Sequence, residues 1–310
     1  MQIVDLRQLH SRSLEGLFQE EAHRWREELF WDYRPSIDLV RKFVDSHSLG
    51  GYAAIEGGCP VGYGFYVLED HKGLIGRLFV SAENPQAGAT ERLLNELVST
   101  LRATPRLQRI EAQLMPFGAE LDPAFLSQHF HLHTRQFMLL KVAQANLLSR
   151  SFSSGLRIEP WSDRAFDAAA RLIQLAYTDH VDGQINDQYC SEAGSLRFLR
   201  NIVLLPGCGI FLPEASFVIR PATDDALIGM ILTSTVADKV GHTTQVCVKP
   251  GHHGNGIGRQ LMEHSIRALR QLHYESLSLT VTSVNTHAVE LYQHLGFRTV
   301  KTFAAGVWQA

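Results

Sequence analysis

Hydrophobic and polar positions change period repeatedly along the chain, and each change marks an element. Between Ser11 and Trp31, SRSLEGLFQEEAHRWREELFW puts Leu14, Leu17 and Phe18 on one side and charges elsewhere, which predicts an amphipathic helix. A second helix is expected after Pro35. GYAAIEGG, CPVGYGFYVLE and GLIGRLFV then alternate or run apolar between glycine and proline turns, the pattern of consecutive strands in an antiparallel meander. A helix over ATERLLNELVSTLRA, a strand over RIEAQLM, a helix near PAFLSQHF and a strand over RQFMLLKV complete this first set.

The stretch AQANLLSRSFSSG turns polar and serine-rich and reads as a linker. Beyond it the order returns: helices over DRAFDAAARLIQLAY and SLRFLRNIV, strands over SFVIR, ALIGMILTSTV and TTQVCV, the helix GRQLMEHSIRALRQL, the strand SLSLTVTS, the helix HAVELYQHL and the strand RTVKTFAA. Setting Leu78-Phe79-Val80 against Val246-Cys247-Val248 brings Gly88 onto Gly256 and Leu93 onto Leu261 without a gap. So long a period implies two copies of one domain, since solenoid repeats are shorter. The expected boundaries are 1–145 for the first domain, 146–155 for the linker and 156–310 for the second.

Composition narrows the partners. The 310 residues suffice for two domains, and a net charge of -3 supplies no basic field for nucleic acid or an anionic membrane. Cys59, Cys190, Cys208 and Cys247 lie far apart with no C-x-x-C spacing, which argues against a disulfide framework or a cysteine zinc site. No stretch approaches the ~20 apolar residues of a spanning helix, and the N-terminus lacks signal-peptide character, so a cytoplasmic location is expected. His129, His131 and His133 alternate as metal ligands on a strand face could, but carboxylate and cysteine companions are missing and a helix-to-strand boundary is expected to split them. No metal is expected.

The chemistry concentrates at VCVKPGHHGNGIGRQLM, where an apolar strand passes through a glycine loop into a helix. That order gathers backbone N–H groups at a helix N-terminus, a place suited to phosphate. A P-loop requires Lys and then Ser or Thr after the final glycine, whereas Ile257 and Gly258 follow Gly256. A dinucleotide fingerprint requires G-x-G-x-x-G and a later acid, whereas the spacing is G-x-G-x-G and VTSVN follows Thr280.

Val248, Pro250, His253, Gly254, Gly256, Ile257, Gly258 and Leu261, followed by Asn285, Ala288, Leu291, Tyr292, Gly296 and Phe297, resemble the acyl-CoA-binding core of the GNAT acetyltransferase superfamily. His253-Gly254-Asn255-Gly256-Ile257-Gly258 matches that family's Q/R-x-x-G-x-G/A loop except for His253 at its first position. NTHAVELYQHLGF matches N-x-x-A-x-x-L-Y-x-x-x-G-F at every named position. The resemblance implies an α+β chain of two tandem GNAT-like domains, each a mixed, mostly antiparallel sheet flanked by helices. It implies acetyl-CoA as co-substrate, held by Cys247, Val248, the His253–Gly258 loop, Arg259, Asn285 and Ala288, with Tyr292 as general acid for the departing thiolate. The backbone N–H near Val248 would polarise the thioester carbonyl. Many relatives carry a Glu on the strand before the loop, where this chain offers only His242 and Gln245. In YTDHVDGQINDQY, Asp179, His180, Asp182 and Asp187 fall where relatives place their acceptor-binding segment, and the acids, Asp179 and Asp182 foremost, suit a cationic amine.

In the first half, Pro85, Gln86 and Thr90 stand where the loop has His253, Gly254 and Gly258, only Gly88 survives, and Ser127 takes the tyrosine's place. Proline also removes a backbone donor there. The first half is therefore expected to be a decayed copy. Three functions are open: acetyl transfer to a small-molecule amine, acetylation of a protein or peptide, and acyl-CoA sensing without turnover.

Overall fold

A computed structural model describes residues 1–83, 85–148 and 155–310, so the core of the expected linker lies outside the described residues. In chain order the elements are β1 (Gln2–Asp5), α1 (Glu15–Leu29), α2 (Arg34–Asp45), β2 (Gly51–Glu56), β3 (Cys59–Glu69), β4 (Lys72–Val80), α3 (Ala89–Ala103), β5 (Arg109–Gln113), α4 (Asp122–Ser127) and β6 (His131–Lys141). There follow β7 (Leu156–Pro160), α5 (Phe166–Tyr177), α6 (Val181–Ile185), α7 (Glu192–Leu204), β8 (Ile210–Phe211), β9 (Phe217–Pro221), β10 (Gly229–Ala237), β11 (Val240–Val248), α8 (Ile257–Gln271), β12 (Ser276–Thr282), α9 (Thr286–Leu295) and β13 (Arg298–Gln309).

Compactness does not follow sequence order. One unit is Met1–Arg135 together with Thr302–Ala310, and the other is Gln136–Lys301. The boundaries expected at 145 and 156 divide the chain by its repeat, whereas compactness divides it within β6 and within β13.

In the first unit, β1 to β4 form an antiparallel meander and β5 joins β4 in parallel. The far edge of β5 is taken by Ala305–Gln309, antiparallel. Leu93, Leu94, Leu97, Val98 and Leu101 recur on one face of α3 and are fully buried against Val61, Ile75, Leu78 and Ile110. Fully burying one such leucine contributes roughly 1.5–3 kcal/mol. The close approach of α3 depends on Gly73, where a Cβ would meet Leu101 at 2.4 Å.

In the second unit the strand order is β7-β9-β10-β11-β12-β6, parallel between β11 and β12 and antiparallel from β11 through β10 and β9 to β7. The second half of β6 belongs to this unit: Met138 and Leu140 lie in its core, and Lys141 donates to the Ser276 hydroxyl at 3.2 Å. On one face, Leu261, Met262, Ile266 and Leu269 of α8 pack on Ile231, Leu277 and Leu279. On the other, Ala169, Ala170 and Ile173 of α5 and Leu199 of α7 cover Met230, Leu232 and Cys247. The α+β architecture with mixed, mostly antiparallel sheets is the expected one.

The two units repeat each other in detail. β4 and β11 are each 9 residues long, α3 and α8 each 15, and in both units a glycine in the left-handed region, Gly88 at φ 76° and Gly256 at φ 75°, immediately precedes the helix. The register also slips at matched places, between Phe65 and Tyr66 opposite β4 and between Leu232 and Thr233 opposite β11. A bulge re-aims the strand that carries it, and here both copies keep it.

Candidate active site

Past Val248 the chain turns through Gly251, Gly254 and Gly256 at φ 85°, 77° and 75°. A Cβ on any of the three would meet nothing within 4 Å, so the protein itself does not crowd these positions. The left-handed backbone selects glycine, since an L side chain there costs ~1–2 kcal/mol. Gly256 caps α8 without a side-chain hydrogen bond, which leaves the first-turn N–H groups directed out of the helix. Gly258 differs: a Cβ there would lie 3.6 Å from Leu291 and 3.8 Å from Val248, in ordinary contact.

The loop side chains turn back onto the protein. His253 donates from Nε2 to the Val248 carbonyl at 2.9 Å, which pins the loop to the end of β11. Asn255 reaches the His252 carbonyl at 3.5 Å. Arg259 is engaged by Glu263 at 2.9 Å and by the Asn146 carbonyl at 3.0 Å. Backbone amides are therefore what this loop offers an anionic ligand.

Beside the loop the sheet opens. β11 pairs with β12 only from Val240↔Ser276 to Thr243↔Leu279, after which the parallel neighbours diverge. Lys249 donates its N–H to Ile228 on the β10 side at 2.9 Å, so by alternation the N–H groups of Val246 and Val248 face the divergence. Their carbonyls point the same way and receive the Tyr177 hydroxyl at 3.3 Å and His253 at 2.9 Å, respectively. Cys247 points oppositely into the core under α5 and α7, where burial pushes its thiol pKa up, and by the same alternation its N–H and carbonyl face β10, so it is turned away from the divergence.

A polar cluster gathers at the mouth of the divergence. Asn285 caps α9, its side chain accepting from the Ala288 N–H at 3.3 Å, and its Nδ2 lies 3.3 Å from His180 Nε2. The Thr282 hydroxyl donates to Asp182 Oδ1, and His180 Nδ1 accepts from the Asp182 N–H at 3.1 Å. Tyr292 is buried on α9, tilted against Phe297. Burial raises its phenol pKa above the usual value and the Asp182 carboxylate adds to the rise, so the hydroxyl keeps its proton. Tyr177 is raised likewise, first by burial and then by Tyr189, on which it stacks at 4.5 Å.

The structure brings together Tyr292, Asn285, Ala288 and Asp182 but leaves Asp179 apart, exposed with φ 60° in the turn after α5. Gln245 is buried and donates to the Tyr177 hydroxyl at 2.9 Å. His242 is also buried, with Nδ1 2.9 Å from the Ser278 hydroxyl and its ring stacked on Phe137. Sequence reasoning missed Tyr177 and Thr282. Tyr177 opens YTDHVDGQINDQY, where Asp179, His180, Asp182 and Asp187 drew the notice, and Thr282 ends an apolar strand with no signal of its own.

In the first unit the corresponding places are filled by its own side chains. The Glu20 carboxylate accepts from the Ser81 hydroxyl at 2.6 Å and from the N–H groups of Ala82 at 2.6 Å and Glu83 at 3.4 Å, just past β4. Glu21, fully buried, receives Arg77 at 2.9 Å, the Tyr63 hydroxyl and Trp25 Nε1 at 3.3 Å. The Arg77 guanidinium lies 4.3 Å from the Tyr33 ring centre and 4.8 Å from that of Trp25. Among the described residues no three His, Cys, Asp or Glu side chains gather as a metal site; His129 sits at φ 59° before β6 begins, apart from His131 and His133 within it. No helix among them is long and apolar enough to cross a membrane.

This geometry has known counterparts. The sequence model of the Acetyltransferase (GNAT) family matches residues 188–297, from the segment before α7 through α9. A mycothiol acetyltransferase of Saccharopolyspora erythraea is 35% identical over 83 residues, covering 27% of each chain. The peptidyl-lysine N-acetyltransferase YjaB of Salmonella typhimurium is 32% identical over 89 residues, 28% of this chain and 54% of that protein. The chain thus matches only about a quarter to a half of the length of these relatives. A tandem GNAT protein from the clavulanic acid biosynthesis pathway, solved without AcCoA, superposes over 99% of this chain and 98% of its own with a TM-score of 0.62 at 14% identity, a likeness of fold. The second unit is thus similar in sequence to the Acetyltransferase (GNAT) family over residues 188–297, and the whole chain is similar in fold to a tandem GNAT protein.

Proposed function

We propose that this chain is an N-acetyltransferase moving acetyl from acetyl-CoA to the primary amine of a small molecule by direct attack, with one working site in the second unit. The observation that supports this reading is the positive-φ glycine loop ahead of α8 beside the end of the β11–β12 pairing, with Tyr292 buried on α9 and its phenol pKa raised. Acetyl-CoA supplies the acyl group as an activated thioester. The loop amides at Gly254–Gly258 would take its pyrophosphate, and Val248 N–H would polarise the thioester carbonyl. The amine, held as its ammonium by Asp182, would give one proton to water before its nitrogen forms the C–N bond; as the C–S bond breaks, Tyr292, kept neutral by burial, would hand its proton to the departing sulfur and regain one from the new amide nitrogen.

The small-molecule acceptor is favoured by the tandem layout, a decayed half before an intact one, which resembles that of mycothiol synthase, and by the similarity to mycothiol acetyltransferase. Acetylation of a protein or peptide is the second reading, favoured by the likeness to a peptidyl-lysine enzyme. Pure acyl-CoA sensing is disfavoured because Tyr292 and Asn285 remain in place.

Calorimetric titration with acetyl-CoA tests the proposal. One site per chain is expected, abolished by Gly256→Glu, which puts a carboxylate where the pyrophosphate would bind. Two sites would overturn the decayed-copy reading, and no binding to the parent protein would overturn the transferase reading.

A further inference from the structure

Where two paired strands part, each loses the partner that matched its alternating N–H and carbonyl groups. β11 parts from β12 after Thr243↔Leu279, and the carbonyls of Val246 and Val248 turn into the gap together with the N–H groups of the same residues. Both carbonyls already hold a side-chain donor. The Tyr177 hydroxyl donates to Val246 at 3.3 Å, and His253 Nε2 donates to Val248 at 2.9 Å. A carbonyl can only accept, so the direction of both bonds is fixed.

Tyr177 is itself held in place. Gln245 Nε2 donates to its hydroxyl at 2.9 Å, which leaves the one phenolic hydrogen for Val246. The ring stacks on Tyr189 at 4.5 Å and meets His180 edge-on at 5.3 Å, and Tyr189 in turn lies edge-on to Phe198 of α7 at 4.9 Å. Burial raises the phenol pKa, so the hydrogen that it donates stays in place. The consequence falls on the backbone. The Val246–Cys247 peptide is held by Tyr177 on one side and by the pairing of Cys247 with Met230 on the other. The Val248–Lys249 peptide is held by His253 on one side and by the Ile228 carbonyl, 2.9 Å from the Lys249 nitrogen, on the other. Between these two lies the Cys247–Val248 peptide, whose N–H is the one proposed to polarise the thioester.

We infer that Tyr177 and His253 are positioning residues for acetyl transfer: by occupying the two carbonyls that face the gap, they turn a strand edge of mixed polarity into one that offers N–H groups to the thioester oxygen, and they fix the plane of the Cys247–Val248 peptide. This rests on the acetyl-transfer reading. Bare carbonyl oxygens beside the thioester oxygen would repel the negative charge that grows on it, whereas a donor already fixed in place needs no reorganisation as that charge develops. His253, which stands where the GNAT loop pattern has Gln or Arg, thereby has a task of its own.

The carbonyl stretch of bound acetyl-CoA, labelled with carbon-13 at the acetyl carbonyl and read by isotope-edited infrared difference spectroscopy at saturating ligand, tests the inference, with CoA affinity measured by calorimetry on the same proteins. In the parent protein the stretch is expected below that of free acetyl-CoA. Tyr177→Phe, which keeps the ring against Tyr189, is expected to move it back toward the free value with CoA affinity unchanged. His253→Leu is expected to do the same to the stretch, whereas His253→Gln, which restores an N–H donor, keeps it low. Residues that only supported the fold would change affinity and melting temperature while the stretch of the bound ligand stayed where it was. A stretch unmoved by both Tyr177→Phe and His253→Leu would therefore overturn the inference and leave acetyl transfer standing. Tighter CoA binding by Tyr177→Phe would overturn it too, by showing that the cofactor takes the Val246 carbonyl for itself. So would a stretch that is not lowered in the parent protein, since no N–H would then polarise the thioester. Failure of the parent protein to bind acetyl-CoA would instead remove the transfer reading, and this inference with it.

Discussion

Tyr292 shows how a residue's surroundings set its chemistry. A phenol in water ionises near pH 10, but burial and the Asp182 carboxylate both disfavour the phenolate, so the acid form persists above that value. Tyr292→Phe is expected to lower kcat by about a hundredfold, the low end of a general acid's contribution, while acetyl-CoA affinity stays within about twofold. Because the pKa is raised, the pH–rate profile of the parent protein should show no descending limb from Tyr292 between roughly pH 7 and 10; a limb there that is lost in the Phe variant would show that the phenol is not raised. In the first unit, Glu21 meets Arg77 where both are buried. Glu21→Gln leaves that guanidinium uncompensated and is expected to cost about 3–5 kcal/mol in urea denaturation, whereas adding Arg77→Met should return part of the loss.

At the scale of elements, the sequence exposes whatever repeats over several turns or strands. α3 and α8, the β2–β4 meander and α9 are legible because a long apolar stripe or alternation has one solution. β1 and β7 escape notice, being 4 and 5 residues long and mostly half-exposed, so too few positions report the alternation. α6, 5 residues with Gly183 inside, has no stripe at all, yet it carries Asp182. The glycine loop and the Asn285–Phe297 block are legible as motifs because their chemistry is local. His180 and Tyr177 become part of the site only through partners about 70 to 105 positions away, Val246 and Asn285, which no local pattern encodes. Nor does alternation say which edge a strand joins: RTVKTFAA reads as a final strand, but only the structure shows Ala305–Gln309 beside β5. There Trp308 packs into the first unit's core under the Arg102 guanidinium at 4.8 Å, and Ala310 donates to the Gln108 carbonyl at 3.0 Å. Deleting Thr302–Ala310 strips that edge, so hydrogen exchange of the β5 amides should rise toward that of an open strand; unchanged protection would show that β5 does not depend on it.

At the scale of the whole chain, duplication and strand exchange have opposite consequences for stability. Two copies joined by a linker would each fold on its own core and melt separately, as independent domains do. Here β6 gives its first residues to one compact unit and its last to the other, and β13 does the same in reverse. Losing either unit therefore removes the anchored half of a strand from its neighbour's sheet, and the remaining half must order itself alone. Scanning calorimetry is expected to show one cooperative transition with calorimetric and van't Hoff enthalpies in agreement. Acetyl-CoA at a hundred times its dissociation constant would stabilise the native state by about 2.7 kcal/mol, and with a single transition that gain appears as one shift of the whole endotherm. Two resolved peaks, of which acetyl-CoA moves only one, would mean that the exchanged strands do not couple the units and that the first unit stands independently of the site it accompanies.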